Sequence, residues 1–446
     1  MYAPLLSALL SILAFNSVLP PIGFFALVPL FLFFFREQRL ARLIQGAFLF
    51  RLIFLVGTVY FVGDPFLYAS TIGIFLGLPV SIFFLKKYAS ERALKFSIPA
   101  LWVLWDYCAG RYTILPVTLV MFGNSLAETS FVGLARLGGS IALTAFIVLV
   151  NMGVAVAVRE RTSTPWFVGI GCVLVIGLVM SRALLTQNKF AYDELPREAH
   201  AMTFSLDYPE EQFTLQLVPQ PFDSAELLIM PEGAYANNAE NADTVIGWYQ
   251  RTAQELGRDV LAVTTRKAAD RIYTSSMLIS RAGEITDWYD KYHLTITSEY
   301  WPFGGWHPGY MNLEKIPEKE KYKAIFDRRY QRTRGGPKII QYGALRIATP
   351  ICSELHYPDY LWKLNQLAPD VIVHNSNNNW ITHHAEQYER LTNRIRAITA
   401  VWLKKPVVAS GIQDVAGIFY PDGTRDITEM GAAAAQKLVT IRYKES

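Results

Sequence analysis

Three short segments place a glutamate, a lysine and a cysteine directly after strand-like runs. Met-Pro precedes Glu232, Tyr-Asp precedes Lys291, and a run of small and apolar residues ends at Cys352. A thiol reacts as its thiolate, which needs a base or a cation beside it. Glu232 is therefore a candidate base, and Lys291 is a candidate cation for the oxyanion of a tetrahedral intermediate. With Cys352 as nucleophile, the set predicts acyl transfer through a thioester.

Each of the three residues also has a structural interpretation. Cys352 could be a small buried apolar residue, Glu232 a turn residue or helix cap, and Lys291 a surface charge paired with Asp290. Their common position at strand ends favours the catalytic interpretation. The serine-hydrolase pattern G-x-S-x-G is absent from the chain, which weighs against a serine nucleophile.

The second half of the chain alternates strand-like and helix-like patterns, which indicates an α/β layered domain. In such domains, loops at strand ends present the catalytic groups. Helices are predicted over 241–257 and 384–403. The predicted strands cover 227–230, 260–264, 273–280, 284–289, 345–349, 371–374, 407–409 and 437–441.

The first half of the chain is predicted to be a helical membrane bundle. A spanning helix needs ~20 mostly apolar residues. We therefore predict a transmembrane bundle over residues 1–186, with about seven helices, and a separate domain over residues 187–446. The seven apolar stretches are 3–18, 21–35, 43–63, 65–85, 95–109, 132–158 and 166–184.

Basic residues in alternate loops predict the orientation of this bundle. They cluster over 36–42, 86–95 and 159–161, and the loops between are nearly free of Lys and Arg. The positive-inside rule assigns these basic loops to the cytoplasm and residues 187–446 to the opposite side. Arg51 is expected near a helix end with its side chain reaching the interface, and Asp106 could line a polar cavity.

The composition excludes several other function classes. A formal net charge of +4 over 446 residues, without one long basic block, argues against a nucleic-acid partner. Three cysteines, two of them in apolar stretches, argue against a disulfide framework. The seven histidines lack the helical spacing of a metal site, so we expect neither a metal nor a cofactor.

The three catalytic segments resemble the nitrilase, or carbon–nitrogen hydrolase, superfamily with its Glu-Lys-Cys triad. Together with the apolar half, the chain resembles the apolipoprotein N-acyltransferases. The resemblance implies a helical membrane bundle followed by a nitrilase-like α-β-β-α sandwich. It also implies supporting active-site roles for Glu299, where the acyltransferases carry a second glutamate, and for Glu354, two residues after the nucleophile. Further similar segments are 376–380, which resembles S-N-D-x-W, and 393–397, which resembles the R-x-R-A helix.

The resemblance implies a two-step reaction in the inner membrane of a bacterium, with the catalytic domain in the periplasm. Cys352 would accept an acyl chain from a phospholipid and transfer it to the amine of a lipoprotein or another acceptor. We expect the chain to act as a monomer. Trp and Tyr favour the membrane interface, so an aromatic segment after Glu299 is expected to form a lid that contacts lipid. The expected lipid or substrate contacts are Trp301, Phe303, Trp306 and Trp380.

Several positions depart from the family pattern. Thr274 stands where an Asn is common in the family, and Ser353 stands where a Tyr commonly follows the nucleophile. Residues 295–298, just before Glu299, also differ from the family sequence. Family acyltransferases usually carry a last transmembrane helix, and no apolar stretch of that length follows the catalytic segments here. A related branch that serves plasmid conjugation is thus an alternative. Two others are an amidase or hydrolase of the same fold and a non-catalytic assembly component.

Overall fold

The computed structural model describes most of the chain in two units. The first comprises Met1–Phe190, Arg390–Lys404 and Pro421–Gly423, and the second comprises Ala191–Glu389, Lys405–Tyr420 and Thr424–Ser446. The boundary predicted after residue 186 falls inside a helix that ends at Asp193. The described residues are 2–16, 20–60, 65–112, 117–160, 163–206, 224–234, 242–269, 271–295, 299, 330–379, 385–429 and 435–444.

The first unit is helical, as expected. Four of its described helical segments are long and apolar enough to cross a membrane: Leu40–Val59, Tyr68–Tyr88, Gly139–Glu160 and Phe167–Asp193. These segments indicate a membrane protein. Helix α6, which covers the stretch predicted at 95–109, is not among them. The helices are α1 Tyr2–Phe15, α2 Val28–Arg36, α3 Leu40–Val59, α4 Pro65–Phe75, α5 Gly77–Tyr88, α6 Glu91–Arg111, α7 Gly139–Glu160 and α8 Ser163–Asp193.

The three basic loops of the first unit lie together at one end of the helices. Lys86 Nζ donates to the carbonyl oxygen of Glu37 at 2.6 Å, which joins the ends of α5 and α2. Arg159 forms an ion pair with Glu91 at 3.0 Å, which joins α7 to the start of α6. Loops that share one end of a bundle share one side of a membrane. This geometry therefore supports the prediction that the basic loops alternate with loops poor in Lys and Arg on the opposite side.

Arg51 and Asp106 form a buried ion pair inside the first unit. The Arg51 Nη1 to Asp106 Oδ1 distance is 3.2 Å, and both side chains are at most 2% exposed. The backbone N–H of Phe122 donates to Asp106 Oδ2 at 3.0 Å, and the Arg51 guanidinium lies 4.8 Å from the ring centre of Phe75. The expectation that Arg51 reaches the interface is therefore wrong. A carboxylate inside the unit neutralises its charge, which would be costly to bury alone.

The second unit is an α/β domain built on one hydrogen-bonded sheet network. The main strand order is β5-β4-β3-β2-β1-β9-β8-β7-β6, with β12 paired to β1 and β10 to β9. The strands predicted over 273–280 and 284–289 are confirmed as β4 and β5, which pair antiparallel. The strands are β1 Arg197–Leu206, β2 Leu227–Glu232, β3 Asp259–Ala268, β4 Arg271–Ile279, β5 Ile285–Asp290, β6 Ile339–Tyr342, β7 Leu345–Ala348, β8 Val371–Asn377, β9 Val407–Ile412, β10 Gly417–Phe419, β11 Arg425–Ile427 and β12 Ala435–Tyr443.

Helix α9 packs against the sheet, as the layered prediction requires. The helices in this part of the chain are α9 Ala242–Leu256, α10 Pro358–Gln366 and α11 Ala385–Leu403, and most of α11 belongs to the first unit. Val245, Tyr249 and Ala253 lie three or four residues apart on α9, and all three join the apolar core formed by side chains of β1 to β4. This spacing places them on one helix face. The buried face of α9 therefore fixes β2, whose end carries Glu232.

Candidate active site

All three candidate catalytic residues lie at strand ends, as predicted. Glu232 is the last residue of β2, and Lys291 directly follows β5. Cys352 begins a short 3-10 helix, Cys352–His356, shortly after β7. Its φ angle is 50°, a left-handed conformation that a cysteine rarely adopts. The side chain is partly exposed, and such backbone strain is frequent at functional sites.

Glu232 and Cys352 interact directly. Each side chain perturbs the pKa of the other, and the backbone of Asn377, at the end of β8, lies beside both. Gly233 has a φ angle of 66°, which turns the chain immediately after Glu232, and a Cβ there would lie 3.3 Å from Asn377 Nδ2. Glu232 and Cys352 are both partly exposed, so a substrate can reach them.

The environment keeps the thiol protonated until a base acts. Burial raises the pKa of the Cys352 thiol, and the carboxylate of Glu232 raises it further. Burial also raises the pKa of Glu232, with an additional contribution from the charge of Glu299, while Lys291 lowers it. A carboxylate of raised pKa is a stronger base, so Glu232 is suited to take the thiol proton.

Lys291 is a buried and permanently charged ammonium. Its side chain is 1% exposed, and its Nζ lies 2.8 Å from Glu299 Oε2. It also donates to Thr295 Oγ1 at 3.2 Å. Burial alone lowers the pKa of Lys291, but the carboxylates of Glu299 and Glu232 outweigh it and hold the pKa above its usual value. The cation is therefore present at every physiological pH.

Glu299 is fixed by donors from two elements. The hydroxyl of Thr274, on β4, donates to Glu299 Oε1. The backbone N–H of Thr295 donates to Glu299 Oε2 at 2.8 Å, the same oxygen that contacts Lys291. Three donors thus hold this carboxylate in one orientation, which in turn holds the ammonium.

Glu354 ties the end of β5 to the turn at Cys352. Its Oε1 accepts hydrogen bonds from the hydroxyl of Tyr289 at 2.8 Å and from the backbone N–H groups of Tyr292 and His293 at 2.7 and 2.9 Å. Its Oε2 accepts the backbone N–H of Ile351 at 2.9 Å. Burial raises the pKa of Glu354 to about 7, although these donors favour the charged form. Through these hydrogen bonds, Glu354 connects the segment around Lys291 to the segment around Cys352.

Several residues of the site had no predicted role. His374 Nε2 lies 2.8 Å from the carbonyl oxygen of Cys352, and Thr295 Oγ1 lies 2.8 Å from Ser353 Oγ. The backbone amide of Asn377 is a further contact of the thiol. Only the hydroxyl residues carried a signal in the sequence, because positions 274, 295 and 353 depart from the family pattern. The backbone amide could not have been found from residue types.

The predicted lipid contacts fall outside the described residues. Trp301, Phe303, Trp306 and Trp380, and the expected lid that contains the first three, belong to segments that the structure does not describe. Within the described ranges, no group of three or more His, Cys, Asp and Glu side chains is placed to hold a metal ion.

Two family models match the chain. Residues 7–153 match the apolipoprotein N-acyltransferase N-terminal domain, and residues 213–409 match the carbon-nitrogen hydrolase family. The chain is an apolipoprotein N-acyltransferase-like member of the nitrilase superfamily. Its α/β domain has the nitrilase fold, as the resemblance implied, and the hydrolase match contains Glu232, Lys291 and Cys352.

Solved structures with a similar fold include members of the same superfamily. A variant of the amidase from Nesterenkonia sp. AN1 in complex with butyramide has a TM-score of 0.41 and 12% sequence identity, over 56% of this chain and 94% of that chain. A carbon-nitrogen hydrolase from Helicobacter pylori G27 has a TM-score of 0.41 and 13% identity, over 55% of this chain and 89% of that chain. None of the curated proteins compared matches the chain.

Proposed function

We propose that this protein is a membrane acyltransferase. It moves a fatty acyl chain from a phospholipid, through a thioester on Cys352, to the amine of the N-terminal cysteine of a lipoprotein. The observation that carries the proposal is the joining of an N-acyltransferase N-terminal domain to a hydrolase domain with a Glu-Lys-Cys site in one chain. The apolar helices support the proposal, because a membrane protein can meet a phospholipid donor in the bilayer.

In the first half-reaction, Glu232 removes the proton of the Cys352 thiol, and the sulfur attacks the ester carbonyl of the phospholipid. The negative charge that develops on the carbonyl oxygen is stabilised by the ammonium of Lys291, which the site holds in place without reorganisation. The carbon–oxygen ester bond then breaks. Glu232 returns the proton to the departing lysophospholipid oxygen, which leaves the acyl group on Cys352.

In the second half-reaction, the amine of the acceptor attacks the thioester carbonyl. Glu232 takes a proton from the attacking nitrogen, and Lys291 again stabilises the oxyanion. The carbon–sulfur bond breaks, and the proton on Glu232 returns to the thiolate of Cys352. The products are an amide and the free enzyme.

We further propose that the catalytic domain is periplasmic and the helices lie in a bacterial inner membrane. The support is the cluster of basic loops at one end of the helices, joined by Lys86 and Arg159, because basic loops stay in the cytoplasm. Trp301, Phe303, Trp306 and Trp380 remain proposed contacts of the acyl chain. A monomer suffices for this chemistry, because one chain carries all three residues.

The proposal is tested by trapping the thioester. The purified full-length protein is reconstituted in proteoliposomes that contain a phospholipid with an isotope-labelled acyl chain. Acid quenching and peptide mass analysis should find the label on Cys352, and a diacylglyceryl-cysteine peptide should then take it up as an amide. Cys352→Ala should abolish labelling, while Cys172→Ala, at an exposed free cysteine of α8, should leave it unchanged. An unlabelled Cys352 would refute the proposal.

The second candidate function is amide hydrolysis on the same residues. The match of residues 213–409 to the carbon-nitrogen hydrolases favours it, since water in place of the amine completes a hydrolytic cycle. Release of a carboxylic acid from a small amide, without any lipid donor, would support this candidate.

An acyltransferase that serves plasmid conjugation with a different acceptor would form the thioester but would not acylate the diacylglyceryl-cysteine peptide.

A further inference from the structure

Three hydroxyl side chains surround the candidate cation. Thr274 contacts Glu299, Thr295 contacts Lys291, and Ser353 contacts Thr295. We call Thr274, Thr295 and Ser353 the hydroxyl cluster. They come from β4, from the segment after β5 and from the 3-10 helix of the nucleophile, so only the folded chain brings them together.

Thr295 is the hub of this cluster, because it makes three contacts with active-site residues. Its hydroxyl accepts a hydrogen bond from Lys291 Nζ at 3.2 Å. The same hydroxyl lies 2.8 Å from Ser353 Oγ, and its backbone N–H donates to Glu299 at 2.8 Å. The side chain thus adds contacts to the cation and to the residue beside Cys352, whereas the backbone contributes the contact to the carboxylate.

The charge of Lys291 fixes the direction of one of these hydrogen bonds. An ammonium can only donate, so it occupies a lone pair of Thr295 Oγ1. Between Thr295 and Ser353, either hydroxyl can be the donor. The three side chains thus form a connected network, in which each hydrogen bond polarises the next.

An ammonium has three N–H groups in fixed tetrahedral directions. Glu299 and Thr295 accept from Lys291. Two hydrogen bonds to different elements determine the rotation of the ammonium and so determine the direction of its third N–H. Without the Thr295 hydroxyl, a single contact to Glu299 leaves this rotation open.

We propose that Thr295 is a positioning residue, whose hydroxyl fixes the direction of the Lys291 ammonium towards the reacting carbonyl. This role rests on the proposed acyl transfer through Cys352. The residue touches Lys291 and Ser353 rather than the substrate. It therefore acts on the rate of thioester formation and leaves the affinity for the acyl donor nearly unchanged.

The first test compares Thr295→Val with Thr295→Ser in the full-length protein in proteoliposomes. Valine has the same shape without the hydroxyl, and it keeps the backbone N–H that holds Glu299. Loss of a hydrogen bond to a charged group predicts single-turnover acylation of Cys352 that is about 10- to 100-fold slower. The donor concentration for half-maximal rate should stay within about twofold, and Thr295→Ser should restore most of the rate.

The second test needs no acyl donor. The rate at which iodoacetamide alkylates Cys352 is measured against pH, with peptide mass analysis as readout. Glu232 and Lys291 are the charged groups that act on this thiol, and Lys291 favours the thiolate. A misdirected ammonium should therefore shift the alkylation profile of Thr295→Val to higher pH, while Thr295→Ser should follow the wild type. Ser353→Ala should give a smaller shift in the same direction.

The outcomes separate this inference from the proposed function. An alkaline shift with Thr295→Val, reversed by serine, supports the positioning role even if no acyl-thioester ever forms. Wild-type acylation and an unshifted profile in Thr295→Val would overturn it. Equal impairment of the serine and valine variants would also overturn it, because the methyl group would then be the important part. If Thr295→Val does not fold, the absence of any shift in Ser353→Ala overturns the inference.

Discussion

Replacing Glu299 by glutamine isolates the effect of one charge on the candidate cation. The carboxylate accepts from Thr274 through Oε1 and from both Lys291 and Thr295 through Oε2. A glutamine can place its carbonyl oxygen at the Oε2 position and keep both contacts there. Its amide group then donates to the hydroxyl of Thr274, which can reverse its own direction. Glu299→Gln therefore keeps the hydrogen-bond geometry and removes only the charge.

The magnitude follows from the distance between Lys291 Nζ and Glu299 Oε2, which is 2.8 Å. Coulomb's law gives an attraction of about 6 kcal/mol at this distance with an effective dielectric constant of ~20. Burial of the carboxylate costs several kcal/mol, and the glutamine avoids this cost. A net loss of roughly 2 kcal/mol remains, in the range of a hydrogen bond to a charged group. If the transition state loses this amount of stabilisation, acylation slows about 30-fold.

The pH dependence of the variant has a definite sign. The charge of Glu299 contributes to the raised pKa of Glu232, so its removal lowers the pKa of Glu232. Because the reaction requires ionised Glu232, the acidic limb of the rate profile should move to lower pH. With a lower pKa, Glu232 is also a weaker base. It is then the remaining carboxylate partner of Lys291. Both effects slow the reaction on the pH-independent plateau of the rate profile.

The assay is single-turnover formation of the Cys352 acyl-thioester between pH 4 and pH 9, together with thermal unfolding of each variant. Glu284→Gln, on the exposed turn between β4 and β5, is the matched control and should behave as the wild type. The reasoning is refuted if Glu299→Gln keeps the wild-type rate and an unmoved acidic limb. A rate loss accompanied by unfolding would likewise contradict it, since the substitution is expected to preserve the hydrogen bonds.

Three further substitutions test the packing around the site and in the helical unit, each by thermal unfolding of the purified protein. Asp106→Asn leaves Arg51 buried without its charge partner and should destabilise the protein by roughly 3–5 kcal/mol; an unchanged melting temperature would contradict the buried ion pair. Tyr289→Phe removes the hydroxyl that donates to Glu354 and accepts from Tyr360, and it should cost about 1–3 kcal/mol, because both buried groups lose a partner. Ala368→Gly should stabilise the protein by about 1 kcal/mol, because Ala368 has a φ angle of 48° after α10.

Alternation and strand-end motifs predicted most of the α/β domain but missed β1, β6, β10 and β11, of which β1 is the longest. This strand occupies the middle of the sheet, where a continuous apolar run would be typical. Instead, Thr203 and Ser205 are fully or almost fully buried within it. Thr203 donates to the carbonyl oxygen of Lys437 on β12, and Ser205 donates to that of Asp414, between β9 and β10. Buried hydroxyls paired in this way resemble surface residues in a linear sequence, so the periodicity gave no sign of a central strand.

The candidate residues were predictable because each followed a strand in a recognisable local segment. Their mutual support was not predictable, since the contacts join residues far apart in the chain. Thr295 and Ser353 meet across 58 positions, and Tyr289 and Glu354 meet across 65. No local pattern encodes such pairs. The differences from the family pattern at Thr274, Thr295 and Ser353 could be interpreted only from the fold, which brings these residues together near Lys291 and Glu299.

Glu232 and Cys352 are best treated as a pair that shares one proton. Burial raises the pKa of both groups, and Glu232 raises that of Cys352 further, whereas Cys352 lowers that of Glu232. Transfer of the proton from sulfur to carboxylate moves the negative charge without changing the net charge of the site, so no further charge must be buried. Lys291 lies near both positions and favours the ionised form of each. The main electrostatic barrier therefore arises at carbonyl attack, when the negative charge moves from sulfur to the substrate oxygen. The orientation of the Lys291 ammonium determines how well that oxygen is stabilised.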